Sequence, residues 1–176
     1  YKFKFWQGNT PRLIENAKNE ICDFSICSYL KNEPEIEFFH LLDQPLVAIV
    51  AKSHPYAKQK KVSMEELSKV PMILCLDKTY FIENLFRKEK LPLTIACRVE
   101  EDQALTGLVS INLGAAILPY NKLMKHHDVA VLQLETPVYR PVYLAKRKDI
   151  QLPAGAKAFE SFLKQKEFVL SSELPY

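Results

Sequence analysis

The chain has no apolar run approaching the ~20 residues that a membrane-spanning helix needs, and no signal peptide is expected. No membrane partner is expected. It also lacks an excess of charge of either sign: 24 basic against 21 acidic residues leave a net +3. That balance is too even to imply nucleic acid or a membrane surface as a partner. The basic runs Lys58-Gln59-Lys60-Lys61 and Lys122-Lys125-His126-His127 read as solvated faces. Cysteines 22, 27, 75 and 97 show no CxxC spacing and fall in apolar, strand-like segments. There Cys acts as a small buried hydrophobe, so a reduced, cytoplasmic protein is expected. There is no internal repeat and no low-complexity linker. Tyr1 is not an initiator Met, so the chain is expected to begin inside a larger protein or after processing.

What remains is an ordinary globular composition, 48% apolar and 26% charged over 176 residues, which suits one domain or two small lobes. Lys2-Phe3-Lys4-Phe5 alternates as a strand does. Gly8-Asn9 turns the chain, Thr10 caps and Pro11 opens a helix to about Asn19, with Leu13, Ile14 and Ala17 inward. Ile21–Cys27 is a nearly continuous apolar run, as in a parallel strand covered on both faces, and completes a right-handed βαβ unit. Ile36–Leu42 and Pro45–Ala51 are two strands broken at Asp43-Gln44. Ser63-Met64-Glu65-Glu66 has capping-box spacing. Met72–Leu76 is a strand, a helix follows with Phe81, Ile82, Leu85 and Phe86 inward, and Thr94–Val99 is a further strand. Strands at Val129–Leu134 and Val138–Lys146 precede a final helix from Pro153 to about Lys166, with Ala156, Phe159, Phe162 and Leu163 on its apolar side.

The most structured stretch is Val99–Met124. Asp102 is placed to cap a helix whose inward face is Leu105, Leu108 and Val109. Asn112 and Gly114 suit a left-handed exit, and Ala115–Leu118 is a buried strand stopped by Pro119. Alternating strands and helices predict an α/β fold.

Three segments carry a resemblance to a known family: DQPLVAIVAKSHPYAKQKKVSMEELSKVPMI from Asp43, EEDQALTGLVSINLGAAILP from Glu100, and PVYLAKRKDIQLPAGAKAFESFL from Pro141. Together with Ile21–Ile26 they resemble, in order and spacing, the effector-binding domain of LysR-type transcriptional regulators. Asn112 stands where that family usually has its first Gly, a conservative change because Asn also accepts left-handed dihedrals. The resemblance implies a two-lobe fold like type 2 periplasmic binding proteins, with two βαβ lobes joined by two crossing strands. One lobe would be 1–45 plus 145–176 and the other 46–144. It also implies one more strand and helix before Tyr1–Trp6, and hence a truncation or another chain filling that place. The expected role is sensing a small anionic metabolite, an organic acid or amino acid, in the inter-lobe cleft to control transcription. The chain is expected to form a homodimer or higher homo-oligomer. DNA would be contacted only through a missing N-terminal domain.

Open α/β sheets bind ligands beyond the carboxyl ends of their strands, and helix N-termini there suit carboxylates. The candidate effector-binding residues are therefore Asn9 and Thr10, Ser28 and Tyr29, Lys78, Thr79 and Tyr80, and Asp102 and Gln103. Each cap also has a purely structural use, contributing about 1 kcal/mol. No catalytic residue, cofactor or metal is expected. Cys22 or Cys27 with His40 or His54 lacks any local nucleophile signature, and adjacent His126 and His127 point apart in a strand. Cys75 and Cys97, on strands of one lobe, are the pair an oxidant would have to join. A transport-system solute-binding protein of the same fold and an enzyme using Cys or His are the rival classes.

Overall fold

A computed structural model describes residues 2–76, 79–100, 102–121, 124 and 127–165, with Asp102 described by its backbone alone. In chain order the elements are α1 (Thr10–Lys18), β1 (Ser25–Cys27), β2 (Ile36–Ala51), a 3-10 turn at Pro55–Lys58, β3 (Lys61–Val62), α2 (Met64–Ser68), β4 (Met72–Cys75), α3 (Phe81–Lys88), β5 (Ile95–Val99), α4 (Asp102–Ser110), β6 (Ala116–Pro119), β7 (Val129–Leu134), β8 (Tyr139–Arg147) and α5 (Ala154–Gln165). They form two compact units. Residues 2–44 and 141–165 make up most of the first; Pro45–Leu76 and Tyr80–Arg140 make up most of the second. Strands β2 and β8 each have residues in both.

In the second unit the run Leu46–Ala51 is buried throughout, because both faces of its strand are covered. Leu46, Ala48 and Val50 join Met72, Leu74, Ile117 and Leu132 on one face, roofed by Phe86 of α3. Val47 and Ile49 join Ile73, Ala116 and Leu118 on the other, roofed by Leu105 and Val109 of α4. The period-two alternation of a strand thus feeds two cores from one continuous apolar segment. Strand β2 pairs antiparallel with β6 and β7, β7 pairs parallel with β3, and β4 pairs parallel with β5 across α3.

The exit from α4 explains its own sequence. Asn112 takes φ 61°, the left-handed conformation expected there. Gly114 is required by a close approach: a Cβ on it would sit 2.5 Å from the carbonyl oxygen of Pro71. That carbonyl accepts from the Ala115 N–H at 2.8 Å, and Ala115 in turn accepts from the Ile73 N–H at 2.8 Å.

In the first unit β1 pairs antiparallel with β8, with Ser25 opposite Ala145 and Cys27 opposite Tyr143. Helix α1 lays Ile14 and Ala17 on Cys27, Ile36 and Ala145. Ser25 Oγ donates to the Leu13 carbonyl at 2.8 Å, tying helix to strand. On the other side, Lys146 of β8 meets Glu160 of α5 at 2.7 Å and Glu37 of β2 at 3.5 Å.

Several expectations fail for identifiable reasons. Lys2–Phe5 is not a strand, since alternation needs a ladder partner and none pairs with it among the described residues; Phe3, Phe5 and Trp6 are exposed. The first unit therefore opens as helix and strand without the first strand of a βαβ unit. Ile21–Cys27 contracts to a three-residue antiparallel strand with Ile21 and Ile26 exposed, not a parallel strand covered on both faces. The break at Asp43-Gln44 does not exist: β2 runs through it for 16 residues. Pro45 is compatible with extended backbone, and the next N–H, that of Leu46, donates to Val138. Asn9, not Thr10, caps α1, and α4 begins at Asp102 itself, so Asp102 stands inside its helix and not at the cap. Phe162 is exposed where the helical pattern turned it inward.

Candidate functional site

The α1 end is built by Asn9, whose side-chain oxygen accepts from the Arg12 N–H at 3.1 Å, with Thr10 and Pro11 as the first helical residues. Asn9 and Thr10 are half-buried. Ser28 and Tyr29 directly follow β1, with Ser28 half-buried and Tyr29 exposed.

The second unit places two helix starts at one sheet edge. Parallel strands β4 and β5 end side by side, where the Leu76 N–H donates to the Val99 carbonyl. From there the chain enters α3 at Phe81 and α4 at Asp102. Tyr80 caps α3 without a side-chain hydrogen bond to its first turn and holds φ 49°, ψ 34°. A left-handed conformation costs a bulky L-residue about 1–2 kcal/mol, and such strain gathers at functional sites. Thr79 is half-buried in the turn before it, and Gln103 is exposed on the first turn of α4. Lys78 lies outside the described residues.

Sequence reasoning missed a set of rings around Tyr29. Its ring centroid lies 4.9 Å from Phe38 and 5.8 Å from Tyr143; Phe38 is 6.1 Å from Tyr143, and His40 is 5.4 Å from it. The available signal was Ile36-x-Phe38-x-His40, one face of a strand at period two.

Neither imidazole hydrogen-bonds a cysteine among the described residues. His40 Nε2 meets Asp43 Oδ1 at 2.9 Å, and because a carboxylate only accepts, that nitrogen carries the proton. His54 Nδ1 accepts from the Tyr56 N–H at 3.2 Å, and burial lowers its pKa. Burial pushes the Cys27 thiol up to about 12, with Cys22 adding to the effect, so it stays protonated and a poor nucleophile. Of the four cysteines only Cys27 is buried; Cys22, Cys75 and Cys97 are half-buried, which departs from the expectation. In the β4–β5 register Ile73 faces Cys97 and Cys75 faces Val99, so Cys75 and Cys97 are diagonal neighbours. Diagonal spacing is about 7–8 Å, beyond what a disulfide bridges without backbone movement. Among the described residues no cluster of His, Cys, Asp and Glu could hold a metal, and no helix is long and apolar enough to cross a membrane.

Residues 2–167 match the family model described as the LysR substrate binding domain. The chain belongs to that family. Among curated relatives, the transcriptional activator CmpR of Synechocystis sp. (strain PCC 6803) is 27% identical over 163 residues, covering 89% of this chain and 54% of CmpR. The dual regulator GltC of Bacillus subtilis is 27% identical over 93% of this chain and 57% of its own length. The LysR-family chain thus spans little more than half the length of these relatives. Among solved structures, the effector-binding domain of QuiR in complex with shikimate is 38% identical, with a TM-score of 0.86 over 92% of this chain and 79% of that one. The regulatory domain of Synechocystis PCC6803 CcmR in complex with 2-PG shares the fold at 21% identity, with a TM-score of 0.76 over 89% of this chain and 78% of that one. The architecture is the α/β, type 2 periplasmic-binding-protein-like fold of LysR effector-binding domains.

Proposed function

We propose that this LysR-family domain is the sensor of a transcriptional regulator and binds a small anionic metabolite without turning it over. The observation that carries this is the pairing of helix starts at the β4–β5 edge, with Tyr80 held in a left-handed conformation at the N-cap of α3. The N–H groups of a helix N-terminus and the positive end of its dipole favour a carboxylate. Asn9, Thr10, Ser28, Tyr29, Lys78, Thr79, Tyr80, Asp102 and Gln103 form the effector-contacting set. QuiR, the relative of 38% identity, is solved with shikimate, a cyclic carboxylate. An organic acid of that class is the first ligand to test, and amino acids the second.

Effector binding acts by differential affinity for two conformations of the whole regulator, and so biases how its DNA-binding modules are arranged. The chain works as a homodimer or higher homo-oligomer, in the cytoplasm, and reaches DNA through a separate N-terminal domain.

Thermal unfolding in the presence of a series of small organic acids and amino acids tests this. A true effector at about 100 times its Kd adds about 2.7 kcal/mol, or roughly 5–10 °C in Tm for a chain of this size. It is recovered chemically unchanged. A stabilising compound that is converted to product would sink the sensor reading, as would a series with no stabilising member.

A further inference from the structure

We propose that Arg98 is a positioning residue of the effector site: it neutralises Glu83 in the first turn of α3 and so lets an anion settle at the β4–β5 edge. This rests on the effector reading above and deepens it, by naming what sets the charge of that edge.

Strand β5 alternates between two faces. Cys97 and Val99 pack on the core roofed by α4, which turns Arg98 to the opposite face, the one that α3 covers. There it lies beside Leu74, its register partner on β4 and a member of the core beneath α3. Arg98 Nη1 donates to Glu83 Oε1. The pair thus ties the first turn of α3 to β5 one residue before the strand ends.

The Glu83 side chain keeps 14% of its surface exposed, against 32% for Arg98. A carboxylate so covered is costly to leave without a counter-charge. The cations of α3 itself, Arg87 and Lys88, stand in its last turn, at the wrong end to supply one. Arg98 supplies it from the neighbouring strand.

The two helix starts at this edge are therefore unlike. The chain enters α4 through Glu100-Glu101-Asp102, three acidic residues in a row. The first-turn acid of α3 is balanced, so a ligand carboxylate is favoured there over α4. Without Arg98 that carboxylate would meet the Glu83 charge about 5 Å away, one helical pitch. At a partly solvated edge such repulsion is worth about tenfold in affinity.

Calorimetric titration of shikimate, benzoate and glutamate into the wild-type chain, Arg98→Gln, Glu83→Gln and the double variant tests this. For each acid that binds the wild type, Arg98→Gln is expected to weaken binding by about tenfold. Glu83→Gln is expected to tighten it, and the double variant to return it to within about twofold of wild type. A pair that only braces α3 would weaken binding in both single variants and leave the double variant no better than Arg98→Gln. That result overturns the assignment and leaves the effector reading standing. Failure of all three acids to bind the wild type overturns both. Thermal unfolding checks that each variant folds. Where Arg98→Gln does not, the double variant still decides: retained binding supports the assignment and weakened binding overturns it.

Discussion

At residue scale, two neighbouring positions separate backbone conformation from available space. Asn112 is left-handed, so Asn112→Ala is expected to cost about 1 kcal/mol, while Asn112→Gly is near neutral. Gly114 has no positive φ, yet its added Cβ meets backbone and not a movable side chain. Gly114→Ala is therefore expected to cost about 3 kcal/mol or more. Urea unfolding of the three variants ranks them, and a benign Gly114→Ala would contradict the close approach to Pro71. His54 supplies a pH prediction. Its pKa is lowered by burial, so the unfolded chain takes up the proton first as pH falls. The contribution is fully present above about pH 6.5 and is lost on acidification through the depressed folded pKa. Unfolding titrations from pH 8 to 5 should show that loss and show it reduced in His54→Asn, whose side-chain oxygen keeps an acceptor for Tyr56.

At the scale of elements, the capping box on α2 is complete. The Glu66 N–H donates to Ser63 Oγ at 3.1 Å, and the Ser63 N–H donates to Glu66 Oε2 at 2.9 Å. Ser63→Ala is expected to cost about 1 kcal/mol, read by thermal unfolding. The Ser63 N–H holds the Glu66 carboxyl below its usual range, against a smaller opposing effect of burial. Its stabilisation is thus present above the ordinary carboxylate range and lost as pH falls through the lowered value. The box was legible in sequence because both partners lie within one turn. So was the run Leu46–Ala51, whose length and β-branching announce a strand covered on both faces. What depends on a distant partner was not legible. Lys2–Phe5 alternates like a strand and finds no ladder among the described residues, and Asp43-Gln44-Pro45 looks like a break yet continues a strand. The candidate site divides in the same way. Turns beside helix starts could be read locally, whereas Phe38 and Tyr143 meet Tyr29, and His40 meets Tyr143, only after three strands are in register.

At the scale of the whole molecule, the two cores of the second unit fix α3 and α4 on opposite faces of β4, and both helices start from the β4–β5 edge. The scaffold is rigid where it is buried and presents its polar groups where strands end, the arrangement expected of a ligand sensor. The central claim is reversible capture of a small carboxylate by helix N-terminal residues. Calorimetric titration of small organic acids and amino acids, shikimate first, tests it on the wild-type chain and on the combined Thr10→Ala and Thr79→Ala variant. A saturable binder recovered unchanged is expected, with affinity at least about tenfold weaker in the double variant, the loss of about one hydrogen bond to a charged group. Turnover of the bound compound, or equal affinity in the two proteins, would contradict it.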